Sequence, residues 1–185
     1  MSASARLRRT YFDCRFGQLH VHQAIPPGGG FDEATALVCI PGVAGLGAFF
    51  QPLLAPLGAD RSIYAPDLPG YGGSDGAVSG APDCALAIVD LLDSLRQRRV
   101  DVLAHGLGFE TAMHLVALRP GKLVRRLVFS SPPPQALAQA RAQGLHVAEV
   151  SLAGAVEAAV PAALSQAQLD ELKDLFGPDP SEHKK

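Results

Sequence analysis

Val100-Asp101-Val102-Leu103-Ala104-His105-Gly106-Leu107-Gly108 is a short apolar run that ends in two closely spaced glycines. From Val100 to Ala104 it has the length and composition of a strand buried on both faces of a parallel sheet. His105-Gly106-Leu107-Gly108 makes a tight turn, and Phe109 to Leu118 reads as a helix closed by Pro120-Gly121. A strand that passes directly into a helix is the repeating unit of a sheet with helices packed against it.

The same unit recurs on both sides. Thr35 to Ile40 is a second apolar run, stopped by Pro41-Gly42 and followed by a short helix from Phe49 to Leu57. Arg61 to Ala65 is a third, ended by Pro66-Asp67-Leu68-Pro69-Gly70-Tyr71-Gly72-Gly73-Ser74. Ala81 to Arg98 has helical spacing, with Leu86, Val89, Leu92 and Leu95 on one face. Leu123 to Phe129 is a fourth strand, ended by Ser130-Ser131 and three prolines. Ahead of all these, Thr10 to Phe16 and Gln18 to Ala24 flank Gly17 as an antiparallel hairpin. The expected fold class is therefore α/β: a mostly parallel sheet, helices on both faces, and an N-terminal antiparallel hairpin. Residues 1–134 form its core. Residues 135–178 read as a helical segment, cap-like or covering the sheet edge. Ser165 and Gln168 make a capping-box pattern there, Leu169, Leu172 and Leu175 share a face, and Gly177-Pro178 is the stop. Residues 179–185 read as a frayed tail.

Composition narrows the function classes. The 185 residues are 48% hydrophobic and 18% charged, with a formal net charge of −2. That balance excludes a disordered chain and offers no basic surface for nucleic acid. Arg96, Arg98 and Arg99 read as the solvated, dipole-compatible end of a helix. The 19 glycines and 15 prolines disfavour a helical bundle. Cys14, Cys39 and Cys84 lack metal or disulfide spacing and read as reduced thiols. Ala34 to Ala59 is uncharged, but its prolines and glycines break it into strand, loop and helix, so no membrane span is expected. The N-terminus lacks the apolar stretch of a secretory signal, which makes a reducing, cytoplasmic setting the expectation.

Three loops carry a resemblance to the α/β-hydrolase family over residues 8 to 134. Asp67-Leu68-Pro69-Gly70-Tyr71-Gly72-Gly73-Ser74 matches the family's Asp-x-Pro-Gly-x-Gly-x-Ser loop. Ile40-Pro41-Gly42-Val43 is similar to its His-Gly-x oxyanion loop. Ala104-His105-Gly106-Leu107-Gly108 sits where the Gly-x-Ser-x-Gly nucleophile elbow belongs. The resemblance implies an esterase-type hydrolase with a Ser-His-acid triad. The chain departs from that pattern. Gly106 stands at the nucleophile position, the stretch Ser130 to Pro134 directly after Phe129 holds no carboxylate, and the later strands that carry the family's acid and histidine are not identifiable, so the form reads as truncated. No catalytic residue is assigned. The elbow's backbone is strained for most residues, and glycine reaches it almost freely.

What the resemblance leaves is a set of backbone donors. The Val43 and Leu107 amides would face the former oxyanion position, at the positive end of the following helix. The notch could take a carboxylate, carbonyl or water, or be plugged by Phe49 or Phe109. His105, Ser130 and Ser131 are candidate pocket residues, with no base expected near either serine. His114 reads as helix surface or packing. His20 and His22 share a strand face, but with no third ligand indicated no metal is expected, nor any cofactor. Asp67 reads as a stabiliser of its own loop. The function expected is a catalytically degenerate member that binds a small apolar molecule or a protein partner. The alternatives are a non-hydrolytic catalyst of lyase, isomerase or cyclase type, or an esterase-like hydrolase. A strand ending at Phe129 would be an open edge, which favours coverage by the helical segment, a homodimer or a partner.

Overall fold

A computed structural model describes residues 4–29, 34–143, 145, 147–152 and 165–177. The tail 179–185, Pro178 and the middle of the 135–178 segment lie outside the described residues. The strands are β1 (Arg6–Cys14), β2 (Gly17–Ile25), β3 (Ala34–Ile40), β4 (Arg61–Pro66), β5 (Val100–His105), β6 (Val124–Ser130) and β7 (Val147–Val150). The helices are α1 (Gln51–Leu57), preceded by a 3₁₀ turn at Gly47–Phe50, then α2 (Ala81–Ser94), α3 (Gly108–Leu118), α4 (Ala136–Ala142) and α5 (Gln166–Leu175).

All seven strands form one sheet in the order β1-β2-β4-β3-β5-β6-β7. β1 and β2 make the antiparallel hairpin, β2 joins β4 antiparallel, and the remaining neighbours are parallel. Alternate side chains on the parallel strands enter two cores, as the period-two geometry of strands requires. Val38, Ile40, Val102, Ala104, Leu127 and Phe129 pack with α2, α3 and α4. Leu37, Cys39, Ile63, Leu103 and Val128 pack with α1 and α5 on the other face. Burial on both faces explains why these strands read as continuous apolar runs. Among the described residues, no helix is long and apolar enough to cross a membrane.

Two expectations are corrected. α2 stops at Ser94 rather than Arg98, because Arg96 turns to φ 55° and the Gln97 amide closes back onto the Leu92 carbonyl. The segment after residue 134 is not all helix, and β6 is not the edge. Val147–Val150 pairs parallel with Leu127–Ser130 and satisfies the amides that β6 would otherwise leave bare. The β6 edge is therefore covered within the chain. The capping box at α5 is present, with Ser165 accepting from the Gln168 amide and Gln168 Oε1 accepting from the Ser165 amide. Leu172 is buried, with Leu169 and Leu175 packed against the same core.

Charge is buried at the amino ends of the parallel strands. Asp101 is fully buried and receives Arg125 through both oxygens, at 2.8 and 2.6 Å. Arg61, also buried, holds Nη1 3.8 Å from Asp101 and lies over the Phe176 ring, 6.0 Å from its centroid. Removing the carboxylate from between two buried guanidiniums leaves uncompensated charge, which costs about 3–5 kcal/mol. Asp101→Ala is expected to lose stability of that size in urea unfolding, with Asp101→Asn losing less.

Candidate functional site

The order of the strands places the site. From β3 the chain steps to β4 on one side and then to β5 on the other. The carboxyl ends of β3 and β5 therefore bound the crevice where an α/β sheet reverses direction, the usual ligand position in such folds. The loop after β3 contains Gly42 and Val43, and the turn after β5 contains Gly106 and Leu107.

Both loops are held together by backbone contact that only glycine permits. A Cβ at Gly42 would stand 2.7 Å from the His105 carbonyl oxygen and 3.3 Å from the Leu107 amide nitrogen. A Cβ at Gly108, the first residue of α3, would stand 2.6 Å from the Ile40 oxygen and 2.8 Å from that of Pro41. Gly106 is different. It adopts φ +51°, and a Cβ there would meet nothing within 4 Å. The elbow conformation is present, its amide is bonded to the Ser130 carbonyl at 2.9 Å, and the space above it is open. Phe109 does not plug the notch: it is buried in the core, edge-on to Phe129.

The Val43 and Leu107 amides donate to no other described residue. Both side chains are exposed, Val43 to 83% and Leu107 to 54%, and Leu46 beside them is also exposed. A cleft of about 270 Å³ runs beside these loops, lined among others by Gly42, Val43, Leu107, Tyr71, Glu110 and Thr111. The free donors thus lie beside the apolar side chains of Val43, Leu46 and Leu107 in a cleft whose lining also carries polar groups at Tyr71, Glu110 and Thr111.

His105 and Ser130 come together at the ends of β5 and β6. His105 Nδ1 lies 3.2 Å from Ser130 Oγ, and its ring stacks on Phe49 at 4.4 Å between centroids. The expectation that no base approaches Ser130 is thus corrected, since adjacent parallel strands put the two side chains on one face. Ser130 is nonetheless fully buried, so its hydroxyl is out of reach of a ligand in the cleft. Burial lowers the His105 pKa below the ordinary imidazole value. Ser131 is exposed with φ 50°, and His114 faces solvent.

Asp67 does more than stabilise its own loop. Its Oδ1 accepts from the Gly47 amide at 2.8 Å, and its Oδ2 accepts from the Gly73 amide at 3.0 Å. His20 Nδ1 lies 2.8 Å from Oδ2, and His22 Nε2 lies 3.9 Å from Oδ1. The expectation that the two histidines lack a third candidate ligand is therefore corrected. Asp67 is remote from them in sequence and is delivered by the pairing of β2 with β4. Burial lowers the pKa of His22, the largest influence on it.

Residues 37–184 match the sequence profile of the Alpha/beta hydrolase family. The chain belongs to that family. It is 35% identical over 99 residues to RutD of Pantoea ananatis (strain LMG 20103), which is provisionally named a carbamate hydrolase; the match covers 52% of this chain and 36% of RutD. The fold is similar to that of naproxen esterase from Bacillus subtilis, with a TM-score of 0.58 and 26% identity over 69% of this chain and 44% of the esterase. It is also similar to the N-acyl homoserine lactonase AidH in complex with N-butanoyl homoserine, with a TM-score of 0.59 and 26% identity over 69% of this chain and 46% of AidH. The epoxide hydrolase CorEH shares the fold alone, with a TM-score of 0.61 at 20% identity over 70% of this chain and 44% of CorEH. The chain thus spans about a third of the curated relative and under half of each of these solved structures.

Because burial disfavours the protonated form of His105 in the folded state, an unfolded chain takes up the proton first as pH falls through about 6.5. The stability associated with this residue is complete above that pH and declines below it. Thermal melts from about pH 7 to about pH 5 are expected to show a falling midpoint, with a shallower fall in His105→Gln.

Proposed function

We propose that this chain is a binding member of its family, in which the notch over Gly106 holds the carbonyl or carboxylate end of a small, largely apolar molecule through the Val43 and Leu107 amides. The observation that carries this reading is the elbow itself. The strained turn that family hydrolases use to raise a serine is formed here, at φ +51°, by a residue with no side-chain oxygen. The open space above Gly106 and the unpaired amides beside it support binding without attack. Exposed Val43, Leu46 and Leu107 supply the apolar rim. AidH, whose structure contains N-butanoyl homoserine, indicates the kind of molecule to try: a short acyl chain beside a carboxylate. Family membership by itself favours an esterase-type hydrolase, and the same experiments separate the two readings.

Titration of ¹⁵N-labelled protein with N-butanoyl homoserine and with hexanoate is expected to move the Val43 and Leu107 amide resonances saturably. Unmoved resonances at both positions overturn the proposal. A fluorophosphonate probe is expected to leave the protein unlabelled, whereas stoichiometric labelling restores the hydrolase.

Gly106→Ser has room for its side chain but imposes a positive φ on serine, at about 1–3 kcal/mol. The variant is expected to fold with that loss and to turn over p-nitrophenyl esters no faster than the parent. The adjacent imidazole, His105, directs Nδ1 at the buried Ser130 hydroxyl.

A further inference from the structure

His20, His22 and Asp67 are grouped away from the Gly106 notch, at the seam between the hairpin and β4. One ring nitrogen from each histidine and an Asp67 oxygen lie within 4.8 Å of one another, and the three side chains are buried or nearly so. We propose that this cluster is a binding site for a divalent transition ion of the zinc or cobalt class.

Two imidazole nitrogens and one carboxylate form a borderline-soft donor set that suits zinc, with a fourth position left for water. A zinc ion bonded at about 2.0–2.1 Å to each donor spaces the donors by roughly 3.4 Å in a tetrahedron. His20 Nδ1 now stands 2.8 Å from Asp67 Oδ2 and His22 Nε2 stands 3.9 Å from Asp67 Oδ1, so an ion would draw both rings toward one carboxylate oxygen. Small ring rotations convert one arrangement to the other. The ion displaces the hydrogen bond between His20 and Asp67 and keeps both backbone bonds to the carboxylate.

The surroundings of His22 are arranged for such a role. Its other nitrogen, Nδ1, lies 3.3 Å from the side-chain amide nitrogen of Gln51, at the start of α1. An imidazole that binds metal through Nε2 must carry its proton on Nδ1, and needs an acceptor there. Rotating the Gln51 amide by half a turn presents its oxygen instead, since the two ends of the group have the same shape. β2 supplies the histidines on one face, β4 delivers the carboxylate, and α1 supplies the orienting amide. An ion at this point ties together the loop at Gly47 and the loop at Gly73 through Asp67.

Untagged, chelator-treated protein titrated with cobalt(II) chloride tests the site. The expected result is one equivalent bound with intense tetrahedral visible absorption, displaced by zinc, together with a higher melting temperature. Paramagnetic broadening should reach the ring protons of His20 and His22 and spare those of His114. His22→Phe should abolish the absorption, and Gln51→Ala should weaken binding by about tenfold. The absence of saturable absorption, or broadening that spares His20 and His22, overturns the site. So does undiminished binding by a folded His22→Phe. The broadening experiment uses the parent protein and decides the matter even if the variants fail to fold. None of these outcomes depends on whether the Gly106 notch binds a ligand.

Discussion

The loop after β3 and the turn after β5 touch through backbone atoms alone. Gly42 lies against the His105 carbonyl and the Leu107 amide, while Gly108 lies against the carbonyls of Ile40 and Pro41. Any side chain at either glycine would wedge β3 from α3, because the obstructing atoms are backbone and cannot swing away. This contact sets the width of the crevice, fixes where α3 begins, and holds two unpaired amides side by side. The remaining features of the site are consequences of how closely those strand ends approach.

Asp67 extends the same constraint outward. By accepting from Gly47 and Gly73 it fastens the segment leading into α1 to the loop after β4. The Leu68 amide donates to Gly45 at 2.8 Å, and Ser74 Oγ donates to the Asp67 carbonyl at 2.7 Å. These bonds supply partners for loop groups that would otherwise be buried without them. At the opposite end of the strands, Asp101 does comparable work between Arg125 and Arg61. The sheet thus carries a buried polar cluster near each end and apolar packing between. Its crevice is lined by the loops after β3 and β4 together with the start of α3.

Much of this was legible in the chain itself. The buried strands announce themselves because both faces are covered, so no alternation interrupts Thr35 to Ile40 or Val100 to Ala104. Gly106 was legible through the resemblance, which placed Ala104-His105-Gly106-Leu107-Gly108 at the elbow, and its φ of +51° agrees with that placement. β7 was not legible. Val147-Ala148-Glu149-Val150 is too short for its alternation to stand out among alanines, and its conformation is imposed by the bare edge of β6. The His105–Ser130 pair was missed because lateral neighbours in a parallel sheet are far apart in sequence. Asp67 was read as a local turn residue, and its approach to His20 and His22 depends on β2 lying beside β4.

Local pattern therefore determined the central parallel strands, the helices between them and the hairpin, and the resemblance placed Gly106 at the elbow. The strands, helices and hairpin are written in the periodicity and turn preferences of neighbouring residues. Tertiary structure alone decided the strand order, the partner that closes the β6 edge, the openness of the notch above Gly106 and the meeting of two histidines with Asp67. Those outcomes depend on which distant segments share a face, and that is settled only when the sheet assembles and its buried polar groups must each find a partner.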